Sequence, residues 1–311
     1  ELDCDGMKAV REKIFDEREA DQLLCKCDGK DASVVSLSEK EKRVKPPRLY
    51  DLTSLQRDAN RIYGMTAKQT LDAAQSLYEA KLITYPRTDS QYLTEDMEQT
   101  ARNVVRQIYE KYQLTGPFDQ PEQPDVKKVM NNSKVTDHHA IIPTMELSSC
   151  QLDELKSWEE KILFLIAVHT VMAMSKEHVY QETEIEVECQ GEIFKAKGKT
   201  VLQDGWKLFE NCFKNKDRMA IVNPDQEMKE RMPKVTQGQT FYAVAAEKTE
   251  HFTSPPKPYS EDTLLAAMET AGNKEFDEDT EKKGLGTPAT RAGIIEKLIY
   301  SQYATRKGKK I

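Results

Sequence analysis

The sequence predicts a mixed α and β fold of several domains, in which a mostly helical body is inserted into a β-rich unit and a helical segment follows. Apolar residues recur every three or four positions between about 52 and 177, which is typical of helices. From about 179 they alternate with polar residues, which is typical of strands. Helical spacing returns after about 260. If the flanking β segments pack together, the helical middle is an insertion within one β unit.

Length and charge limit the classes of function. The chain has 311 residues, enough for two or three packed units. Its net charge of −7 argues against unspecific nucleic-acid binding, because phosphate binding depends on Lys and Arg. Two basic runs, at 40–48 and 305–310, are the exceptions. Either a solvated surface or a local phosphate-binding groove would explain them.

The cysteines contain no CxxC pair, which favours free thiols in a reducing cytosol over a zinc site. They are Cys4, Cys25, Cys27, Cys150, Cys189 and Cys212. The longest apolar run, Ile162–Val168, is far too short to cross a bilayer. Because the chain starts without Met and stops in a basic run, we expect a piece of a longer protein.

The first half begins with mixed signals and continues as helix. Helical spacing covers about 5–20, and a strand is predicted over 32–38. Pro46-Pro47 marks a boundary. Capping-box patterns predict helix starts at Thr53 and Thr66, where a hydroxyl and an amide satisfy the free N–H groups of the first turn.

Two more helices complete the predicted helical middle. Thr94 starts one of them, with acidic residues in its first turn, and Gly116-Pro117 ends it. A strongly apolar helix covers Trp158–Met174.

The second half is predicted as strands followed by helices. A hairpin turns at Gln190-Gly191, and another strand covers 240–250. Ser260 starts a helix that Gly272 ends. Thr287-Pro288 starts the last helix, since proline is favoured at the first helical position.

The segment LITYPRTDS, at 82–90, contains a tyrosine with an arginine two positions later. In an extended chain these side chains point the same way, and Pro86 stiffens their spacing. A phenol needs a nearby cation to become a good nucleophile at neutral pH, and arginine suits a phosphate. Tyr85 and Arg87 therefore fit an attack on a phosphodiester. From spacing alone, a core tyrosine beside a surface arginine is the commoner arrangement.

Two other motifs carry polar side chains in distinctive places. Adjacent His138 and His139 point to opposite faces if extended, so they are either structural or contact phosphate singly rather than clamp one metal. The segment GLGTPATRAG, at 284–293, follows an acidic stretch instead of an apolar strand, which excludes a dinucleotide fingerprint. It instead delivers Thr287 and Thr290 to a helix N-terminus, with Arg291 beside them, as an anion site.

Several hydrolytic motifs are absent from the sequence. Gly198-Lys199-Thr200 is similar to the end of a P-loop, but position 193 is Ile where glycine is required. Neither HExxH nor GxSxG occurs. We therefore expect no nucleotide hydrolysis and neither of these two hydrolase mechanisms.

Three segments together, LITYPRTDSQYL, DHHAIIPT and LGTPATRAGIIEKL, resemble type IA DNA topoisomerases, most closely the bacterial topoisomerase III branch. They occur in the family's order, with the strand-rich insert between the second and the third. The resemblance covers residues 50–90 without interruption and extends from about 32 to the end.

The resemblance implies a role for each site residue. Tyr85 would attack single-stranded DNA, forming a 5′-phosphotyrosine bond and freeing a 3′-hydroxyl that attacks back after another strand has passed. Arg87 would hold the scissile phosphate, and His138 would contact the same phosphate or a neighbour. The residues that would hold the DNA backbone are Thr287, Thr290 and Arg291. The covalent link would store the bond energy, so no ATP is needed.

The resemblance also implies a toroidal clamp. Residues 1–51 would form an N-terminal helix and the first part of a β arch, and 52–177 a helical gate domain bearing Tyr85. Residues 178–205 would complete the arch, and 206–311 would form part of the base that binds single-stranded DNA.

The family's metal site is the main departure. No DxDxxxG pattern occurs, so Mg²⁺ is expected for the intact enzyme but not in this fragment. An N-terminal metal-binding domain would precede Glu1, and without it we expect no relaxation of DNA. The implied partners are single-stranded DNA and that domain, in a monomer of the bacterial cytoplasm with no membrane partner. The alternatives are a non-catalytic single-strand clamp and a purely structural helical scaffold.

Overall fold

An antiparallel sheet is assembled from distant parts of the chain. The computed structural model describes residues 1–114, 124–210, 233–272 and 284–311. Within these residues, six strands lie in the order β2-β1-β6-β3-β4-β5. Their bounds are β1 Leu2–Cys4, β2 Met7–Ala9, β3 Lys30–Val44, β4 His178–Cys189, β5 Glu192–Gln203 and β6 Thr240–Ala246.

The sheet nearly closes on itself. The N–H of Val10, just beyond β2, donates to the carbonyl of Lys195 on β5 at 2.9 Å, and the reverse bond is 2.8 Å. The first and last strands of the order are thereby joined, which leaves little open edge. Alternate residues fill the interior with buried apolar side chains, including Leu2, Val34, Ile185, Val187, Phe194, Phe241 and Val244.

The predicted hairpin is confirmed. Ile185, Val187 and Cys189 on β4 are fully buried, whereas the residues between them are partly exposed. Gln190 and Gly191 have φ values of 53° and 82°. Two successive residues with positive φ form a tight hairpin turn whose twist matches the right-handed twist of the two paired strands.

Seven helices lie in the described residues. Their bounds are α1 Glu17–Cys27, α2 Leu52–Tyr63, α3 Ala67–Glu79, α4 Glu98–Tyr112, α5 Ser157–Ala173, α6 Glu261–Thr270 and α7 Pro288–Tyr300. Short 3₁₀ turns cover Glu95–Met97, Val126–Val129, Asn132–Lys134, Met145–Ser148, Leu152–Glu154 and Gly205–Glu210. No helix in these parts of the chain is long and apolar enough to span a membrane.

The chain divides into two compact units. The sheet unit contains Glu1–Lys45, Glu177–Gly205 and the described part of Val222–Pro255. The helical unit contains the described parts of Pro46–Lys176, Trp206–Ile221 and Pro256–Ile311. The helical body is thus inserted between segments of the β unit, which confirms the predicted fold class.

Helix α5 forms the centre of the helical unit. All its residues from Ile162 to Ala173 are buried, because neighbours cover it on every side. Helices α2, α3 and α4 contact it, while α6 and α7 contact α2.

Two parts of the structure differ from the expected elements. Instead of a helix over about 5–20, β1 and β2 come first and α1 begins at Glu17. The 206–311 segment, expected as one helical domain, contributes β6 to the sheet by pairing with β1 and β3.

Helix starts follow the expected side-chain chemistry at several positions. Thr66, Ser260 and Thr287 each cap a helix in a reciprocal capping box. The cap of α2 is Asp51 rather than Thr53, with Ser54 as its partner. The helix end expected at Gly116-Pro117, like Cys212, lies outside the described residues.

Candidate active site

Tyr85 follows a residue that is fixed to a second segment much later in the chain. The N–H of Thr84 donates to the carbonyl of Ile142 at 3.0 Å. The Thr84 hydroxyl donates to the carbonyl of Ala140 and accepts the N–H of Ile142, both at 3.0 Å. The backbone immediately before the phenol is therefore held in place.

Two buried hydroxyls hold the part of the chain that follows. Thr88 donates to the carbonyl of His138 at 3.0 Å, and Ser90 donates to the carbonyl of Lys134 at 2.9 Å. The N–H of Leu52, in the first turn of α2, donates to the carbonyl of Thr88 at 3.1 Å. These hydrogen bonds thus hold the segments around Tyr85 and His138 together.

The Tyr85 ring lies between two other aromatic rings. Its centroid is 4.2 Å from that of His138, with 39° between the planes. The centroid of Tyr78 is 5.4 Å away in an edge-on arrangement. Tyr85 is half-buried and His138 is exposed, so the phenol is not a core side chain.

Arg87 lies on the same outward side as Tyr85. From Tyr85 to Ser90 burial alternates, with Pro86 and Thr88 buried and Arg87 exposed. Within the described parts of the chain, no hydrogen bond or ion pair engages the Arg87 guanidinium. The structure therefore brings together a phenol, an imidazole and a free guanidinium on one surface.

The glycine loop presents two exposed hydroxyls at the start of α7. The N–H of Thr287 donates to Oγ1 of Thr290 at 2.9 Å, and the two hydroxyl oxygens are 3.1 Å apart. Both side chains are exposed. They lie where the helix dipole favours an anion.

Arg291 is turned inward, contrary to the expected contact with DNA. It is 3% exposed, and its guanidinium donates to the carbonyls of Leu285 (3.0 Å) and Gly286 (3.3 Å) and to the hydroxyl of Thr53 (2.9 Å). Because the side chain is buried and three of its N–H groups donate to protein oxygens, little guanidinium surface is left for a phosphate. We reassign Arg291 to positioning the glycine loop.

The first turn of α2 connects the two groups of site residues. Leu52 contacts the segment after Tyr85, and Thr53 contacts Arg291. The capping residue Asp51 is buried and accepts from the side chain of Gln91 at 2.9 Å. Burial raises the pKa of the Asp51 carboxyl.

Sequence reasoning missed the residues that support the site. Tyr78 is the penultimate residue of α3, where an aromatic residue is typical of ordinary packing. Thr84 and Thr88 lie on either side of the tyrosine, and their hydroxyls donate to carbonyls of the 138–140 segment. The available signal is the presence of hydroxyl residues on both sides of the tyrosine.

The described residues do not fit the Mg²⁺ site implied by the resemblance. In those parts of the chain, no three His, Cys, Asp or Glu side chains lie close enough to hold a metal ion.

Comparison with known proteins identifies the family. The DNA topoisomerase family model matches residues 3–311. DNA topoisomerase 3 of Bacillus licheniformis is 37% identical over 322 residues, covering 98% of this chain and 42% of that protein. The enzyme of the same name from Bacillus subtilis is 36% identical, with the same coverage of 98% and 42%.

A solved structure supports the fold. Full-length topoisomerase I from Thermotoga maritima has a TM-score of 0.66 at 23% identity, covering 98% of this chain and 46% of that one. The chain thus spans less than half the length of these relatives, two of which carry the topoisomerase III name that the motifs indicate. Because the family model covers nearly all of it, the chain belongs to the DNA topoisomerase family.

Proposed function

We propose that this chain carries the strand-cleaving tyrosine of a type IA DNA topoisomerase of the topoisomerase III branch. The enzyme would cut one strand of single-stranded DNA, pass another through the break and reseal it without ATP. One observation carries the proposal: the half-buried Tyr85 ring lies against the exposed His138, beside an unpaired Arg87. We further propose that it acts as a DNA-associated monomer in the bacterial cytoplasm.

Cleavage would exchange one phosphate ester for another. The Tyr85 oxygen loses its proton and bonds to phosphorus, while the bond from phosphorus to the 3′ oxygen breaks and that oxygen takes up a proton. Arg87 would bind two phosphate oxygens through its planar fork and stabilise the charge that develops there. His138 would donate to the same phosphate or its neighbour. Resealing is the reverse reaction, so the ester energy is conserved.

Thr287 and Thr290 would hold a backbone phosphate away from the reaction. Their hydroxyls are exposed at the N-terminus of α7, where the helix dipole favours anions. Arg291 would support this contact indirectly, by fixing the carbonyls of the preceding loop.

The test is trapping of a covalent protein–DNA adduct. The chain, supplemented in trans with the N-terminal domain of a related topoisomerase and Mg²⁺, is incubated with labelled single-stranded DNA and denatured. We expect an adduct that Tyr85→Phe abolishes, while strand binding changes little. Arg87→Gln should lower adduct formation by about 100-fold, the usual loss for one charge-stabilising donor.

Tyr78→Phe is the matched control, because it removes a hydroxyl from the ring beside Tyr85. Its adduct yield should equal that of the unmodified chain. Retention of the adduct by Tyr85→Phe would contradict the assignment of the nucleophile. Strand binding without any adduct would favour the non-catalytic clamp.

A further inference from the structure

Two exposed cations converge on one aromatic ring near the candidate active site. The guanidinium carbon of Arg48 is 5.5 Å from the ring centroid of Tyr92, and the ammonium nitrogen of Lys134 is 5.1 Å from it. Neither cation has a carboxylate partner among the residues that the structure describes. The three residues, called here the Tyr92 cluster, come from three separate segments of the helical unit.

Buried side chains fix the backbone of the Tyr92 cluster through hydrogen bonds. The carbonyl of Arg48 accepts a hydrogen bond from Nε2 of the buried His169 at 2.7 Å. The Ser90 hydroxyl donates to the carbonyl of Lys134 at 2.9 Å and accepts the N–H of Tyr92 at 3.2 Å. The side chains therefore project from fixed points, which lowers the entropy cost of binding a ligand.

Hydrogen bonds connect the Tyr92 cluster to the segments around Tyr85 and His138. The N–H of Ser90 donates to the hydroxyl of Thr88 at 3.1 Å, and that hydroxyl donates to the carbonyl of His138. A strand whose phosphate reaches His138 would meet the Tyr92 cluster along the same pair of segments.

The chemistry of the cluster suits a phosphodiester of a single strand. Two like charges near one ring repel each other, and an anion placed between them removes that repulsion. Arginine can bond two phosphate oxygens and lysine adds a point charge, while an aromatic face accepts a base of any identity. Asp89 and Asp137 are exposed on the same segments, which keeps the net positive charge small and predicts weak binding.

We propose that Arg48, Lys134 and Tyr92 form a second phosphate site for the strand that Tyr85 attacks. The inference rests on the proposed function, since it assumes that the strand passes Tyr85. The site holds a neighbouring phosphate and takes no part in the chemistry. Its ligand is single-stranded DNA, recognised through the backbone and without sequence preference.

The test measures binding of labelled oligothymidylate of about 16 nucleotides to the chain by fluorescence anisotropy over a range of salt concentrations. Removing one phosphate contact should lower the slope of log affinity against log salt by about 0.7. We expect this change for the double variant Arg48→Gln, Lys134→Gln. Tyr92→Leu should weaken binding by about tenfold with a nearly unchanged slope, because it removes stacking.

Lys161→Gln is the matched control. Lys161 is an exposed cation whose ammonium nitrogen is 6.0 Å from the Tyr63 ring centroid, outside the proposed site. Its variant should keep both affinity and slope. An unchanged slope in the double variant, an equal loss in the control, or no measurable binding by the unmodified chain at low salt would each overturn the second phosphate site.

The two proposals fail separately. Adduct formation depends on Tyr85, whereas the salt slope depends on Arg48 and Lys134. An adduct together with an unchanged salt slope in the double variant would contradict only the proposed phosphate site at the Tyr92 cluster. A reduced salt slope in the double variant without any adduct would support DNA binding by the Tyr92 cluster and contradict strand cleavage by Tyr85.

Discussion

Tyr50 and His169 form a buried pair that supports the site at the level of single side chains. Their rings stack with centroids 3.7 Å apart, and the Tyr50 hydroxyl donates to Asp58 at 2.7 Å. Burial raises the pKa of Tyr50 far above its usual value and lowers the pKa of His169 to about 4. Both side chains are therefore neutral near neutral pH, and His169 can donate to the carbonyl of Arg48.

The His169 imidazole should make stability depend on pH. In the unfolded chain it binds a proton near pH 6.5, whereas in the folded chain it does so only near pH 4. Stability is therefore full above pH 6.5 and falls as the pH drops towards 4, by about 3 kcal/mol. His169→Gln, which keeps an N–H donor but cannot titrate, should lose this part of the pH dependence.

Chemical unfolding followed by tryptophan fluorescence measures this effect, because Trp158 and Trp206 both lie in the helical unit. Equal pH profiles for His169→Gln and the unmodified chain would refute the prediction.

The site residues show what sequence can reveal at this scale. Tyr85 and Arg87 belong to one short motif, so their common side was predictable from spacing, whereas the contact of His138, which lies much later in the chain, was implied only by the family resemblance. The burial of Arg291 was not predictable, because it depends on the hydroxyl of Thr53, which lies far away in the sequence. An arginine beside a helix N-terminus looks the same in sequence whether it faces solvent or the interior.

Among the elements, the glycine loop before α7 depends on a close approach of backbones. Gly284 has φ of 65°, and a Cβ there would collide with the carbonyl oxygens of Met268 and Glu269 at the end of α6. The N–H of the next residue, Leu285, donates to the same Met268 carbonyl at 2.7 Å. Only glycine allows this contact between the loop and α6.

Gly284→Ala should therefore destabilise the helical unit by about 2 kcal/mol, from strain and the lost contact. Gly293→Ala is the matched control, since Gly293 is exposed within α7 and a Cβ there meets nothing within 4 Å. It should stabilise the unit by about 1 kcal/mol, because alanine favours helix. Urea unfolding of both variants checks the two signs, and a stabilised Gly284→Ala would contradict this account.

The N-terminal strands were missed although the sequence carried a signal. Asp5 and Gly6 have φ values of 55° and 86°, the left-handed pair expected of an Asp-Gly hairpin turn. The flanking residues alternate, with Leu2, Cys4, Met7 and Ala9 buried. Charged residues between them give an apparent helical spacing, but the Asp-Gly turn is the stronger signal.

At the scale of the whole molecule, closure of the sheet depends on pairing between strands that lie far apart in the sequence. Local sequence patterns do not predict such pairing. Strand β1 pairs with β6 across Leu2 and Ala246, and Val10 pairs with Lys195. Periodicity predicts that a segment is a strand but not which strand it meets. The insertion of the helical body was predictable for a different reason, since it follows from the order of the elements.

We expect the chain alone to leave supercoiled DNA unrelaxed. It lacks the DxDxxxG pattern, and the described residues contain no cluster of three metal-ligating side chains. Gel electrophoresis of a supercoiled plasmid incubated with the chain and Mg²⁺ checks this. Relaxation that disappears in Tyr85→Phe would show that the chain suffices, whereas activity that appears only when the N-terminal domain of a relative is added would agree with the expectation.

The tie between Thr88 and His138 spans 50 positions of the chain. During synthesis on the ribosome, Tyr85 emerges well before its imidazole neighbour exists. A chain cut short before position 138 would therefore carry the Tyr85 phenol without the imidazole that packs against it. The aromatic contact can form only after both segments have been made and have paired.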